Sequence, residues 1–248
     1  MKNHPEGNEL LAALPQSSHA RIFPLLREVD LPLGKEVYAA GQVENMVYFP
    51  IDCIVSLLYV MDDGHSAEIA VVGREGMMGI AMLLGGNSMP NCAIVQSAGS
   101  AYRLPSTDFK REFDRDPNVR MSVLRYLQAL FTQMAQTAAC NRHHSIEQQL
   151  CRWLLLSLDR LNGQELTMTQ ELIANMLGVR REGVTHAAGR LQKLGLIRYQ
   201  RGHITVLDRA GLERRCCECY QVVKDEADRL AARHERLFEF TESADSAA

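Results

Sequence analysis

The sequence predicts an α+β fold in which strands come first, a long helix follows, and a helical unit with a hairpin comes last. Three observations carry that expectation. From Leu31 to Leu104, short apolar runs alternate with glycine-centred turns, as in a small antiparallel sheet structure. After Asp116, apolar residues recur every three and four positions, which places them on one face of a helix. Residues 167–202 then set two short amphipathic segments around Gly178 and end in a basic segment around Gly202.

Residues 1–30 are read as a helical segment, with helices over Asn8 to Leu14 and Ser17 to Leu26. Residues 31–113 follow as a β-roll. Val37-Tyr38, Met46 to Phe49 and Ile54 to Val60 read as strands, and Asp62-Asp63-Gly64 turns the chain into Ala67 to Val72. Short strands at this spacing indicate a sandwich or jelly roll. Residues 114–141 form the long helix, opened by a capping Asp116 and a first-turn Pro117. Its seam of Leu124, Leu127, Phe131, Met134 and Ala138 either lies on the roll or joins two copies of the chain. The heptad regularity and the position between two domains favour a dimer. Ser145 with Gln148 forms a capping box for another helix, and Ile146, Leu150, Trp153, Leu154, Leu158 and Leu161 are its candidate core.

In residues 142–219 the two short segments become helices. Thr167 with Gln170 is the expected cap of the first, along which Leu172, Ile173, Met176 and Leu177 recur until Gly178 stops it. Val184, Ala187, Ala188, Leu191 and Leu194 line the second up to Gly195, leaving Arg180, Arg181, Glu182, Thr185, His186 and Arg190 on or near its polar side. Leu196 to Leu207 then alternates as a hairpin with Gly202 at its tip. This order is that of a winged helix-turn-helix, whose second helix presents its N-terminal residues to base edges in the major groove of double-stranded DNA. Arg181, Glu182, Thr185 and His186 are the candidate base readers. Thr169, Gln170, Arg180, Arg190, Arg198, Arg201 and His203 are the candidates for phosphate contact.

Charge is segregated along the chain. The formal net charge is −3. Residues 142–215, however, hold twelve Arg and Lys against seven Asp and Glu, or +5, so the remainder carries −8. The basic part is the reader of nucleic acid. No apolar run approaches the roughly 20 residues of a membrane helix, and the start Met-Lys-Asn-His-Pro-Glu has no apolar signal region, so a cytosolic protein with reduced thiols is expected. No Gly-x-Ser-x-Gly, P-loop or His-Glu-x-x-His pattern occurs, so no enzyme is expected. Cys216, Cys217 and Cys219, with Cys140 or Cys151, have the softness of metal ligands. Adjacent cysteines on a helix diverge by about 100°, and His143-His144 shows no third ligand at a recognisable spacing, so no metal or other cofactor is predicted. Residues 220–248 read as an amphipathic helix through Val223, Ala227, Leu230, His234 and Leu237, with a disordered end from Thr241 to Ala248.

The roll with Gly34, Gly41, Gly76 and Gly79 at its turns, the dimer helix, and the winged helix with Arg-Glu opening its second helix resemble the Crp/Fnr family of bacterial transcription regulators. The resemblance runs from about Leu31 to Leu212, nearly three quarters of the chain. It implies a homodimer on a palindromic operator, contact with RNA polymerase, and an effector-sensing roll of the cyclic-nucleotide-binding type. The family's base-reading pattern, Arg-Glu followed by Arg, falls on Arg181, Glu182 and, as a departure, His186. Arginine donates twice to guanine and glutamate accepts from cytosine, whereas an imidazole is shorter than a guanidinium and mostly uncharged at pH 7. In the family's cyclic-AMP-responsive members, a glutamate and an arginine hold the nucleotide. Here Ile80 stands at the first position, Pro90 at the second and Asn91 at the serine that follows. No Arg or Lys occurs between Glu75 and Tyr102, so cyclic AMP is not the expected effector. Met77, Met78, Ile80, Met82, Leu83 and Leu84 are either roll core or a pocket for an uncharged effector. The effector is unknown, and a thiol- or metal-based redox sensor and a constitutive DNA-binding protein remain alternatives.

Overall fold

The computed structural model describes residues 4–161 and 163–245, with side chains to residue 231. Helices α1 (Glu9–Ala12) and α2 (Gln16–Ile22) and a 3-10 turn, Phe23–Leu25, open the chain. Strand β1 (Arg27–Leu31) follows directly, so the roll begins four residues before the expected boundary at residue 31. Its register on β7, from Arg27 opposite Arg103 to Leu31 opposite Gly99, is what draws Arg27–Asp30 out of the helical segment.

The roll has two sheets. Strands β3 (Met46–Pro50) and β7 (Gly99–Pro105) complete the first in the order β1-β7-β3. Strands β2 (Glu36–Tyr38), β4 (Ile54–Val60), β5 (Ser66–Val72) and β6 (Cys92–Ser97) form the second in the order β2-β6-β4-β5. Leu31, Phe49, Val55, Val95 and Leu104 are buried in one core. The other face of the second sheet is also covered. Ile54, Leu58, Val71 and Cys92 share a core with Leu150, Trp153 and Leu154 of the helical unit that follows. This double burial explains why β4 is apolar almost throughout rather than alternating.

Helix α3 (Ser106–Arg115) leads into α4 (Pro117–His143), which Asp116 caps by accepting from Asn118 N. Helix α4 has two apolar faces, and the expected seam divides between them. Leu127 is 2% exposed, and it and Met134 pack on the roll core. Leu124 (44% exposed) and Phe131 (56%) stay open. The open stripe is Met121, Leu124, Gln128, Phe131, Ala135 and Ala138, an unbroken three-and-four repeat. Leu127 and Met134 therefore belong to the protomer's own core. Inside the roll, α4 is fixed by Gln133, which accepts from Val71 N at 2.9 Å and donates to Val71 O at 3.1 Å.

Helix α5 (Ile146–Leu158) begins with the predicted capping box of Ser145 and Gln148. Strand β8 (Glu165–Thr167), helices α6 (Gln170–Leu177) and α7 (Arg181–Lys193), and strands β9 (Ile197–Gln200) and β10 (His203–Val206) complete the winged unit. Helices α8 (Arg209–Arg215) and α9 (Glu218–Asp245) close the chain. Helix α9 runs past Thr241, where disorder was expected, because residues 241–245 contain no glycine or proline to end it. Residues 246–248 and the side chains of His234 and Leu237 lie outside the described part.

Candidate DNA interface

The cap of α6 is Thr169, whose hydroxyl accepts from Leu172 N at 3.3 Å. Thr167 lies instead in β8, opposite His203. A third strand on the wing thus overrides the local capping pattern. Ala174, rather than Leu172, joins Ile173, Met176 and Leu177 in the buried face of α6. Gly178 ends the helix at φ +63°, with Val179 N returning to Ala174 O at 3.0 Å, a left-handed stop that glycine adopts without steric cost.

Helix α7 then starts at Arg181 with no side-chain cap from Arg180. Val184, Ala187, Ala188 and Leu191 bury its inner face, while Leu194 lies past the last turn and is exposed. Gly183 lets the first turn approach α5, since a Cβ there would sit 2.6 Å from Ile146 Cδ1. The opposite face is open to solvent. Arg180, Arg181, Glu182, Thr185 and His186 are all exposed along it. Thr185 Oγ1 is 2.7 Å from Gln170 Oε1 and 3.0 Å from Arg181 O, so Thr185 and Gln170 lock the two helices together. Arg181 Nε is 3.9 Å from Glu171 Oε2, an open ion pair that leaves the guanidinium 64% exposed.

The wing is fastened to this pair of helices. Tyr199 N donates to Gln192 Oε1 and Tyr199 Oη donates to Met168 O, both at 2.7 Å. Burial pushes the Tyr199 phenol up to about 12, so it keeps the proton it donates. Arg201 and Gly202 make a two-residue turn with φ +51° and +82°, between paired Gln200 and His203. Such a turn suits the twist of the hairpin, yet a left-handed arginine costs on the order of 1 kcal/mol relative to glycine. His203 Nδ1 is 3.3 Å from Thr167 Oγ1.

Among the described residues, Arg180, Arg198 and Arg201 are exposed cations without an ion pair. Arg190 is exposed but ion-paired. Its Nε lies 2.7 Å from Glu147 Oε2, and Glu147 also accepts from Arg215 at 2.8 Å, because the packing of α7 on α5 brings that carboxylate beneath it.

The roll contrasts with this face. Gly76 lies against the Tyr126 ring, where a Cβ would sit 2.3 Å from Cε2, and Tyr126 Oη donates to Met77 O at 2.8 Å. Its role is close approach, and only Gly34, Gly41 and Gly79 of the four expected turn glycines have positive φ. Met77, Met78, Ile80 and Leu83 are buried in the core, whereas Leu84 is exposed. Glu44 is buried, and its Oε2 accepts from Ala81 N at 2.9 Å. Asn91 Nδ2 donates to the buried Tyr38 hydroxyl at 3.2 Å. The cavity beside Tyr38 and Glu44 holds about 110 Å³, below the roughly 300 Å³ of a small-molecule site.

A sheeted roll, a long connecting helix and a winged helix with an exposed basic face define a DNA-binding transcription regulator with a nucleotide-domain scaffold. Residues 148–215 match the family model of the Crp-like helix-turn-helix domain, and residues 28–116 match that of the cyclic nucleotide-binding domain. The two matches together span more than half of the chain, and the protein belongs to the Crp/Fnr family. It is 24% identical over 183 residues to the global nitrogen regulator of Nostoc sp. (strain PCC 7120 / SAG 25.82 / UTEX 2576), covering 70% of this chain and 82% of that relative. It is 23% identical over 206 residues to the CRP-like cAMP-activated global transcriptional regulator of Mycobacterium tuberculosis (strain ATCC 25618 / H37Rv), covering 80% and 92%. FixK2 from Bradyrhizobium japonicum has a similar fold, with a TM-score of 0.65 at 16% identity over 77% of this chain and 98% of that one. No described helix is long and apolar enough to cross a membrane.

Proposed function

We propose that the protein binds a two-fold symmetric operator as a homodimer, with α7 of each copy in the major groove. The observation that supports this most strongly is the exposed N-terminal half of α7, where Arg181, Glu182 and His186 are all open to solvent. Arg181 would donate to a guanine, Glu182 would accept from a cytosine amine, and His186 would face a third base. Thr185 serves as the brace between α6 and α7 through Gln170. Arg180, Arg198 and Arg201, with Thr169 and His203 beside them, meet phosphates and set the register. The second copy packs along Met121, Leu124, Phe131 and Ala138. Two recognition helices then face half-sites one helical turn, about 34 Å, apart.

The roll transmits no cyclic-nucleotide signal. No cation stands between Glu75 and Tyr102 to meet a cyclic phosphate, and the buried Glu44 carboxylate already accepts the Ala81 N–H. An anion brought beside that carboxylate without a cation is strongly disfavoured. Selection of binding sites from genomic fragments, followed by anisotropy titration of the selected duplex, tests both parts. The expected result is an inverted repeat bound by two chains, with affinity unchanged by added cyclic AMP. A single-copy site bound by one chain contradicts the dimer, and a micromolar cyclic-AMP isotherm in calorimetry contradicts the second part.

A further inference from the structure

Where α4 ends and the chain turns into the DNA-binding unit, four metal-ligating side chains meet. The expectation that the cysteines diverge on a helix does not hold, because Cys216 is extended (φ −67°, ψ 158°) and Cys217 immediately precedes α9. The turn brings Cys217 and Cys219 back onto the end of α4. Cys140 Sγ lies 3.6 Å from Cys217 Sγ, and Cys219 Sγ lies 3.5 Å from His144 Nδ1. All four ligand atoms fall within 4.8 Å of one another. His144, expected in a solvated linker, is thus half-buried against thiols.

We propose that Cys140, His144, Cys217 and Cys219 bind one Zn²⁺ per chain in a closed tetrahedral site. A tetrahedral ion with Zn–S near 2.3 Å and Zn–N near 2.05 Å separates its sulfurs by about 3.8 Å and sulfur from nitrogen by about 3.5 Å. The two short distances match these values before any adjustment. Three thiolates and one imidazole are also a donor set of structural zinc. The imidazole is oriented for the task. Its Nε2 lies 3.4 Å from Glu218 Oε1, and a proton held there by the carboxylate leaves Nδ1 with its lone pair toward the sulfurs. Charge is balanced from the other side. Arg152 is buried, donates to Thr137 Oγ1 at 2.8 Å, and keeps its Nε without a partner. Zn²⁺ with three thiolates carries one net negative charge, and Arg152 is the buried cation that interacts with Cys140 and Cys219. Cys216 and Cys151 stand outside the ligand set. The ion would bind the end of α4 to the head of α9, across the bend at His144-Ser145 that sets the winged unit relative to the dimer helix.

The test uses the full-length protein, purified with reductant, stripped by chelation under anaerobic conditions and titrated with Co²⁺ and then Zn²⁺, without DNA. One equivalent of Co²⁺ per chain is expected, with intense tetrahedral ligand-field bands and thiolate charge-transfer absorption, both abolished by Zn²⁺. Cys217→Ser and Cys219→Ser lose the thiolate spectrum, Cys216→Ser and Cys151→Ser retain it, and Glu218→Gln weakens the metal about tenfold or more. Absence of stoichiometric cobalt, an octahedral spectrum, an iron–sulfur chromophore in the isolated protein, or loss of binding in Cys216→Ser with retention in Cys219→Ser overturns the assignment. Circular dichroism of each apo variant identifies any that has failed to fold, and Cys219→Ala then replaces it in the comparison.

Discussion

On the winged helix, Arg180, Arg198 and Arg201 stand exposed without an ion pair, and Arg201 holds an unfavourable left-handed backbone at the hairpin tip. In the roll, residues 76–101 contain no cation, Met77 and Met78 are buried, and Glu44 accepts the chain's own Ala81 N–H. Both regions keep the backbone of their family domain. What separates them is where cations stand open to solvent. Unpaired exposed cations mark a surface that awaits an anion, whereas a segment without cations beside the buried Glu44 carboxylate does not. Backbone strain points the same way, since a glycine at position 201 would make the same turn at lower cost.

Removing the dimer should have the largest effect. Phe131→Glu places a charge in the open stripe of α4 and is expected to give monomers, with operator affinity reduced by about 3 kcal/mol or more, on the order of 100-fold. Sedimentation velocity and anisotropy check this together. Leu127→Ala should instead lower stability by about 2–5 kcal/mol while leaving the folded protein dimeric, because Leu127 faces the roll. The reverse outcome for this pair would restore the seam first expected from the sequence. Arg201→Gly should weaken selected and random duplexes alike by a few-fold, flatten the salt dependence by about one unit per wing, and raise stability by about 0.5–1 kcal/mol in urea unfolding. A loss of stability would show that the turn is unstrained.

A smaller effect concerns the contact between the two regions. Burial pushes the Glu68 carboxyl up from 4.5 to about 7, against Ser56, Arg152 and Arg160, which pull it down. Between these values the folded chain holds a proton that the unfolded chain has released. This residue's contribution to stability therefore declines as pH rises through that window. Glu68→Gln stays neutral, so it should melt close to the parent at pH 4.5 and above it at pH 8. Equal melting temperatures at both values would place an ionised, compensated Glu68 at the interface.

Much of this was legible because local chemistry and tertiary structure agree. Asp116-Pro117, the Ser145–Gln148 box and Gly178 each act within a turn of their own position, and the structure uses all three as read. Strand β4 was read over the residues it occupies. The misreadings share a different cause. Thr167 has a capping pattern, but β10 recruits it as a strand. Leu124, Leu127, Phe131 and Met134 have helical spacing on both faces of α4, and periodicity alone does not say which face meets the roll. The partner of Arg190 was likewise hidden from the sequence, since Glu147 arrives from another helix. The cluster at Cys140 and His144 depends on a turn some 75 residues later, and the Cys-x-Cys spacing ahead of a predicted helix was its available signal.

The base-reading role of α7 is tested most directly by titrating Arg181→Ala against the selected operator and against a random duplex of equal length at one salt concentration. The account predicts a loss of about 1–3 kcal/mol per contact on the operator, with relaxed preference at one base pair of each half-site and little change on random DNA. An equal loss on both duplexes, with base preference intact, would contradict it and leave Arg181 as one more phosphate contact.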